Sequence, residues 1–416
     1  MLFPREFSEY GRYYSPFDDQ VHEGISYNDF SLWDTFRALH PLLHFTQPER
    51  VSPMVQSLLQ MYQEGGWLPK WPNPTYTNIM VGTHADAVIA DAYVKGFRDY
   101  DIDLAYEAIR KNAIQPPYLD TEKNWGDRNE GVLYEARGGL SFYHSLGYVP
   151  ADRTRESVTR TIEFGIDDFS IAQMAKDLNK QEDYDRLMGW SKNYKNLYNP
   201  STGFLNARLF NGDWHRNSQE GFTEGGKWTY HFGAMHDISG MIDLYGGKME
   251  FTKKLDENFS DGHYRHDNEP GHHYAYLFNY AGQSWKTQEL IRKHTSEENF
   301  RNEPLGINGN DDCGQMSAWY VFGVMGFYPV TSATEIYALG APQFPEITMR
   351  LLKDGEPKKF TITANKLSDE NKYIQFVTLD GKMLATPFIT YSQIMSSSSL
   401  VFEMGNKPNF TAFKDQ

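Results

Sequence analysis

Near Pro329 the spacing of apolar residues changes from helical to alternating, and that change limits the folds open to the chain. Before it, apolar positions recur every three or four residues. Residues 51–66 show this most clearly, with Val55, Leu58, Leu59 and Tyr62 on one stripe. Ser52 is placed to cap this helix, Pro53 suits its first turn, and Gly65-Gly66 closes it. A second helix is expected over 86–95. A third, over 101–112, has Asp101 at its start and Arg110-Lys111 at its end, as the helix dipole favours. Others are expected at 152–164, 169–178, 182–197, 232–245, 271–282, 284–294 and 314–326, separated by turns rich in Gly, Pro and Asn. After Pro329, residues 359–364, 373–379 and 400–404 alternate with period two, as half-buried strands do, and Asp380-Gly381 is a hairpin signal. The expected architecture is mainly α. Paired helices around an axis, an (α/α)6 toroid over 1–330, precede a small C-terminal β domain over 331–416. Short tandem repeats of the solenoid kind are not evident.

Composition narrows the function. The net charge is −15 and Lys and Arg form no cluster, which argues against a nucleic-acid partner. The single cysteine, Cys313, rules out an internal disulfide framework and a thiolate zinc cluster. Apolar runs fall short of a membrane span, and the opening residues lack the basic flank and apolar stretch of a signal peptide. Aromatic residues reach 15% of the chain, and such rings fill cores and also stack on sugars. Asn-x-Ser/Thr sequons at Asn258 and Asn409 match chance expectation.

Four segments gather polar and aromatic residues beyond what packing requires: 32–37, 221–230, 265–273 and 309–319. Each has a plain structural explanation. Asp34 and Arg37, at i and i+3, read alone as an ion pair on a helix surface. Glu224, beside two glycines, reads alone as a solvated turn. His272-His273 read as core histidines. Asn310-Asp311-Asp312 read as a cap for the following helix, which accounts for one of the adjacent carboxylates and leaves the other. Together they say more. Glycoside hydrolysis needs two carboxyl groups, one protonated and one ionised, and Glu224 with Asp312 or Asp311 supplies them. Asn268 and Glu269 offer the hard oxygen ligands that Ca²⁺ takes. Trp33, Trp228 and Trp319 are candidates for lining a sugar subsite.

At these residues the chain resembles the calcium-dependent α-mannosidases of glycoside hydrolase family 92. The matching text includes Met1-Leu-Phe-Pro-Arg5, Trp33-Asp-Thr-Phe-Arg37, Gly66-Trp-Leu-Pro-Lys-Trp71, Phe222-Thr-Glu-Gly225, Asn268-Glu-Pro270 and Asp312-Cys-Gly-Gln-Met-Ser-Ala-Trp319. It extends over nearly the whole chain. The resemblance implies a toroid followed by a β region, and removal of mannose from α-mannosides by one inverting displacement. It places the general acid on Glu224 and the base on Asp312. An acidic residue that many members carry two positions before the base is Asn310 here, which concentrates the base role on Asp312 and leaves Asp311 second. Calcium would be held by Asn268, Glu269 and Asp312. Asp34 would contact a sugar hydroxyl, with Arg37, Trp33, Trp228, His266 and Asp267 also lining the substrate. His266-Asp267 before Asn-Glu-Pro leans towards α-1,2 linkages, as in N-glycans or yeast-type mannan. In an inverting site the two carboxyl groups are expected roughly 6.5–9.5 Å apart.

The family resemblance also implies secretion or a periplasmic location, a mannose-containing oligosaccharide or glycoprotein glycan as partner, and a preceding β-sandwich domain. This chain is expected to start where that domain ends, so the missing sandwich is its expected structural partner. A non-catalytic mannose-binding or assembly fragment is the alternative from another class. A different (α/α)6 glycosidase is a third. Aryl α-mannoside hydrolysis with and without a chelator separates the first two, and the sugar released separates the third.

Overall fold

The computed structural model describes residues 3–122, 134–353 and 355–413. Met1 and Leu2, part of the first matching motif, lie outside them. Two compact units emerge. One comprises Met1–Phe36, Glu49–Asp237 and Ser332–Thr334, the other Arg37–Pro48, Ile238–Thr331 and Glu335–Gln416.

The first unit is helical. Val51–Gly65 forms as expected and buries Val55, Leu58, Leu59 and Tyr62. Its start differs: a 3-10 turn, Pro48–Arg50, leads into it, so Ser52 lies within the helix and buried rather than capping it. Gly66 closes it in left-handed backbone at φ +88°. Ala85–Val94 and Ile102–Ile114 follow, the latter capped by Asp101, whose carboxylate accepts from the Leu104 N–H. The two helices expected at 152–164 and 169–178 are one, Ser157–Asp177. It packs against Ala85–Val94, Ile102–Ile114 and Gln181–Trp190. Its middle, Phe164-Gly165-Ile166-Asp167-Asp168, reads locally as a break. Buried partners carry it through: Asp167 accepts from the Thr83 N–H (2.7 Å), and Asp168 from Arg137 (2.6 Å) and the Tyr143 hydroxyl (2.8 Å). Near the N-terminus, strand Arg12–Ser15 pairs antiparallel with Gln20–Glu23.

The second unit mixes helices and strands. Leu39–Thr46, which periodicity did not reveal, packs on Gln315–Met325 and on strand Glu346–Lys353. The expected helix at 271–282 is instead two 3-10 turns, Glu269–Gly271 and Tyr274–Asn279. Lys248–Ser260 and Ser284–His294 are regular helices. The C-terminal strands make a five-stranded sheet ordered Lys382–Met383, Tyr373–Leu379, Ser399–Gly405, Glu356–Asn365, Glu346–Lys353. Only Glu356–Asn365 and Ser399–Gly405 run parallel. Asp380 and Gly381 form the expected two-residue turn at φ +46° and +78°, the left-handed pair that matches strand twist. The chain is thus mainly helical with a C-terminal strand region. Among the described residues, no helix is long and apolar enough to cross a membrane.

Candidate active site

Two loops of the second unit bring hard oxygen donors together. In the first, the Asn268 side chain accepts from the Glu269 N–H at 3.1 Å and opens the turn Glu269–Gly271, where Glu269 is fully buried. The second loop lies against it. A Cβ on Gly309 would stand 2.6 Å from the Asp267 carbonyl oxygen, and φ there is +84°, so a side chain would block the approach. Asp312, Cys313 and Gly314 then follow in left-handed backbone, at φ +41°, +58° and +104°. Three such residues in succession turn the chain abruptly into Gln315–Met325.

This geometry separates the adjacent carboxylates. Asp311 accepts from the Ser317 N–H (3.1 Å) and hydroxyl (2.6 Å), satisfying a donor in the first turn of the helix. Asp312 points elsewhere, with carboxylate oxygens of Asp312 and Glu269 within 4.8 Å of one another. Oxygens that share a Ca²⁺ at 2.3–2.6 Å stand up to about 5 Å apart, so the pair fits that ion. An all-carboxylate pair of this kind favours a hard cation over zinc.

Gln315 braces the same region. Its Oε1 accepts from the N–H groups of Ala38 (2.9 Å) and Leu39 (3.2 Å), and its amide meets His272 Nδ1 at 3.2 Å. Burial, with the Arg37 charge nearby, pushes His272 down to about 3, so it is a neutral core histidine. Arg37 is 5% exposed and Asp34 2%, which overturns the reading of these two as a helix-surface pair. His266 is also internal: its Nδ1 lies 2.8 Å from the Tyr264 hydroxyl and its ring meets Trp319 edge-on at 4.0 Å. Burial holds it well below its ordinary range. It packs in an aromatic nest with Tyr264 and Trp319. Trp319 is fully buried, with its indole N–H on the His272 carbonyl (2.8 Å), so it offers no ring face for stacking. Asp267 pairs with Arg265 at 2.8 Å, and that contact holds its carboxyl low.

The remaining candidates belong to the first unit. Asp34 lies in the short helix Leu32–Thr35 and accepts from the Ser31 hydroxyl. Trp33 is 1% exposed and packs on Met80 and Val81. Glu224 is exposed at φ +51°. The glycines around it close the turn: a Cβ on Gly225 would meet Thr229 Oγ1 at 2.6 Å, and one on Gly221 would meet Ser157 Oγ at 2.8 Å. Trp228, in the helix Lys227–Tyr230, is half-buried and meets Phe204 edge-on at 4.8 Å. Sequence reasoning missed what holds this turn, namely Thr223 and the Glu156–Arg160 pair. The i, i+4 spacing of the latter was the available signal.

The glycosyl hydrolase family 92 catalytic domain matches residues 1–406, and the chain belongs to that family. A relative described as an uncharacterized secreted glycosidase of Arthroderma benhamiae is 30% identical over 398 residues, 84% of this chain and 48% of that protein. A family 92 inverting mannosidase of Bacteroides thetaiotaomicron superposes with a TM-score of 0.90 at 32% identity, covering 99% of this chain and 58% of its own. An α-mannosidase of the same organism, solved with mannoimidazole, gives 0.87 at 33% identity over 99% of this chain and 55% of its own. The chain therefore spans about half the length of the relatives it matches. The family's mannosidases are glycosidases, and the structural neighbours are α-mannosidases.

Proposed function

We propose that this chain is the catalytic part of a Ca²⁺-dependent exo-α-mannosidase that releases terminal mannose with inversion. Within this reading, residues 1–330 form an (α/α)6 toroid and 331–416 a β domain. The substrate is an α-1,2-linked mannose at the end of an N-glycan or yeast-type mannan. The protein works outside the cytoplasm and is completed by a β-sandwich domain.

The observation that carries the reading is the approach of the Glu269 and Asp312 carboxylates to within 4.8 Å in a family 92 chain. Asn268, Glu269 and Asp312 would hold the ion. A bound Ca²⁺ supplies positive charge that offsets the carboxylates and orients sugar hydroxyls. The chain's own groups carry the protons. Asp312 takes a proton from a water as its oxygen adds to the anomeric carbon. The glycosidic C–O bond breaks in the same displacement, and Glu224 gives its proton to the departing oxygen. Asp34 and Arg37 contact the sugar's polar groups, with Trp228, Trp33, His266 and Asp267 around them.

A chelator is expected to abolish aryl α-mannoside hydrolysis, with Ca²⁺ restoring it better than Zn²⁺. Ca²⁺ should also raise the unfolding temperature of the chelated protein, and Glu269→Gln should remove that rise. Full activity in excess chelator would refute the metal role. NMR of the first-formed product should show β-mannose.

A further inference from the structure

The turn that carries Glu224 is fastened at one residue, Thr223, by three hydrogen bonds. Its N–H donates to Thr159 Oγ1 (3.0 Å), its hydroxyl donates to Glu156 Oε1 (3.0 Å), and its carbonyl accepts from the Tyr230 hydroxyl (2.8 Å). The neighbouring Gly221 carbonyl accepts from Val158 (2.9 Å) and Thr159 (3.1 Å). Two N–H groups at the start of helix Ser157–Asp177 are thereby satisfied by the loop that leads to Glu224. The loop and the helix start are one hydrogen-bonded body.

Glu156 precedes that helix at φ +56°, and its other oxygen faces Arg160 Nη2 at 3.5 Å. Arg160 Nη1 donates to Glu135 (2.9 Å), which also accepts from Lys70. Arg160 and Glu135 side chains are 0% exposed and that of Lys70 1%. Burial alone would push the Glu135 carboxyl up, but Arg160 and Lys70 outweigh it and hold it low. Arg160 thus lies between two carboxylates, Glu135 and Glu156, and Lys70 meets the first of them. Removing one member of a buried ion pair is costly to the partner it faces. The contact with Arg160 aims the Glu156 carboxyl group at the Thr223 hydroxyl, one residue from Glu224.

We infer that Glu156 is a positioning residue for the proton donor, acting through the Thr223 hydroxyl and held in place by the Arg160–Glu135–Lys70 chain. The inference rests on Glu224 being the general acid. A misplaced acid harms a substrate in proportion to its need for the proton. A sugar alkoxide needs it, whereas a nitrophenolate leaves without it.

The test compares mannobiose with a nitrophenyl α-mannoside for four variants of the chain. Thr223→Val is expected to lower kcat on mannobiose by ~10- to 100-fold, with a far smaller loss on the aryl substrate and little change in KM. Thr223→Ser, which keeps the hydroxyl, should restore most of the mannobiose rate. Thr223→Val combined with Glu156→Gln should widen the split between the substrates little beyond Thr223→Val alone, because both break the Thr223–Glu156 contact, whereas loss of the Arg160 pair falls on both substrates alike. Glu224→Gln is the reference and should show the same split more strongly. If Glu224→Gln splits the substrates and Thr223→Val does not, the positioning role is overturned while the acid assignment stands. If Glu224→Gln lowers both substrates equally, the acid assignment falls and the inference falls with it.

Discussion

Asp312 and Glu224 share a local feature that their sequence does not announce: each has left-handed backbone, at φ +41° and +51°. Non-glycine residues held there cost of order 1–3 kcal/mol each, so the surrounding structure must enforce the conformation. Around Glu224 the enforcement is the glycine-rich turn tied to Thr223. Around Asp312 it is the close approach at Gly309 and the Asp311–Ser317 contact. Distinct consequences follow for substitution. Asp312→Asn should depress hydrolysis of mannobiose and of aryl mannosides alike, by ~100-fold or more, because water activation is needed whatever leaves. Glu224→Gln should affect mannobiose far more than the aryl substrate. Asp311→Ala should instead lower stability by about 1 kcal/mol, the usual loss of a cap, read as a drop in unfolding midpoint. Its effect on kcat should be much smaller than that of Asp312→Asn. Residue types at these positions were legible in the sequence. The family resemblance favoured Asp312 over Asp311 as base, but the contact that turns Asp311 away, to Ser317 six residues on, was not legible.

Among the helices, Ser157–Asp177 shows how far local pattern can mislead. Gly165 and the pair Asp167-Asp168 lower helical propensity and interrupt the apolar stripe, so periodicity splits the element in two. The fold needs both features. A Cβ on Gly165 would stand 2.9 Å from the Ser191 carbonyl oxygen, which sets how closely the chain at the end of helix Gln181–Trp190 can approach. Gly165→Ala would gain about 1 kcal/mol of helix propensity. The clash with backbone should cost about 1–3 kcal/mol, so the net change is destabilising or at best neutral. Thermal unfolding of the variant checks this; a clear rise in midpoint would contradict the packing argument. Gly189→Ala is the control, since a Cβ there meets nothing within 4 Å, and it should stabilise. Elements with a clean local signal fared differently. Val51–Gly65, Ile102–Ile114, Tyr373–Leu379 and the Asp380-Gly381 turn formed where the pattern placed them.

On the scale of the whole molecule, the first unit encloses many charges, and they make stability depend on pH. His84 is 1% exposed, with Nδ1 on Asp167 at 2.7 Å and Nε2 near Glu163 at 3.1 Å. Burial pushes its pKa down, but the two carboxylates outweigh that and raise it to about 9. The unfolded value is about 6.5, so the contribution is fully present below pH 6.5 and is lost as pH rises through about 9. The unfolding midpoint should fall across that window. His84→Gln should flatten the fall and, by removing a buried cation that faces Asp167 and Glu163, cost about 3–5 kcal/mol near neutral pH. A midpoint that holds steady from pH 6.5 to 9.5 in the parent protein would contradict this.

The sequence alone determined the kinds of element, their approximate order, the family and the residue types available for proton transfer and metal binding. Those properties are written locally, in the spacing of apolar residues and in short motifs such as Phe222-Thr-Glu-Gly225 and Asn268-Glu-Pro270. Tertiary structure decided which polar groups are buried and what they face. It placed Asp34, Arg37 and Trp33 inside, packed His266 and Trp319 into one aromatic nest, and carried Ser157–Asp177 through its glycine and acidic pair. The physical reason is the same in each case. A buried charge or ring is tolerated only where distant residues supply its partners, and those partners, such as Arg137 for Asp168 or His272 for Trp319, come from elsewhere along the chain.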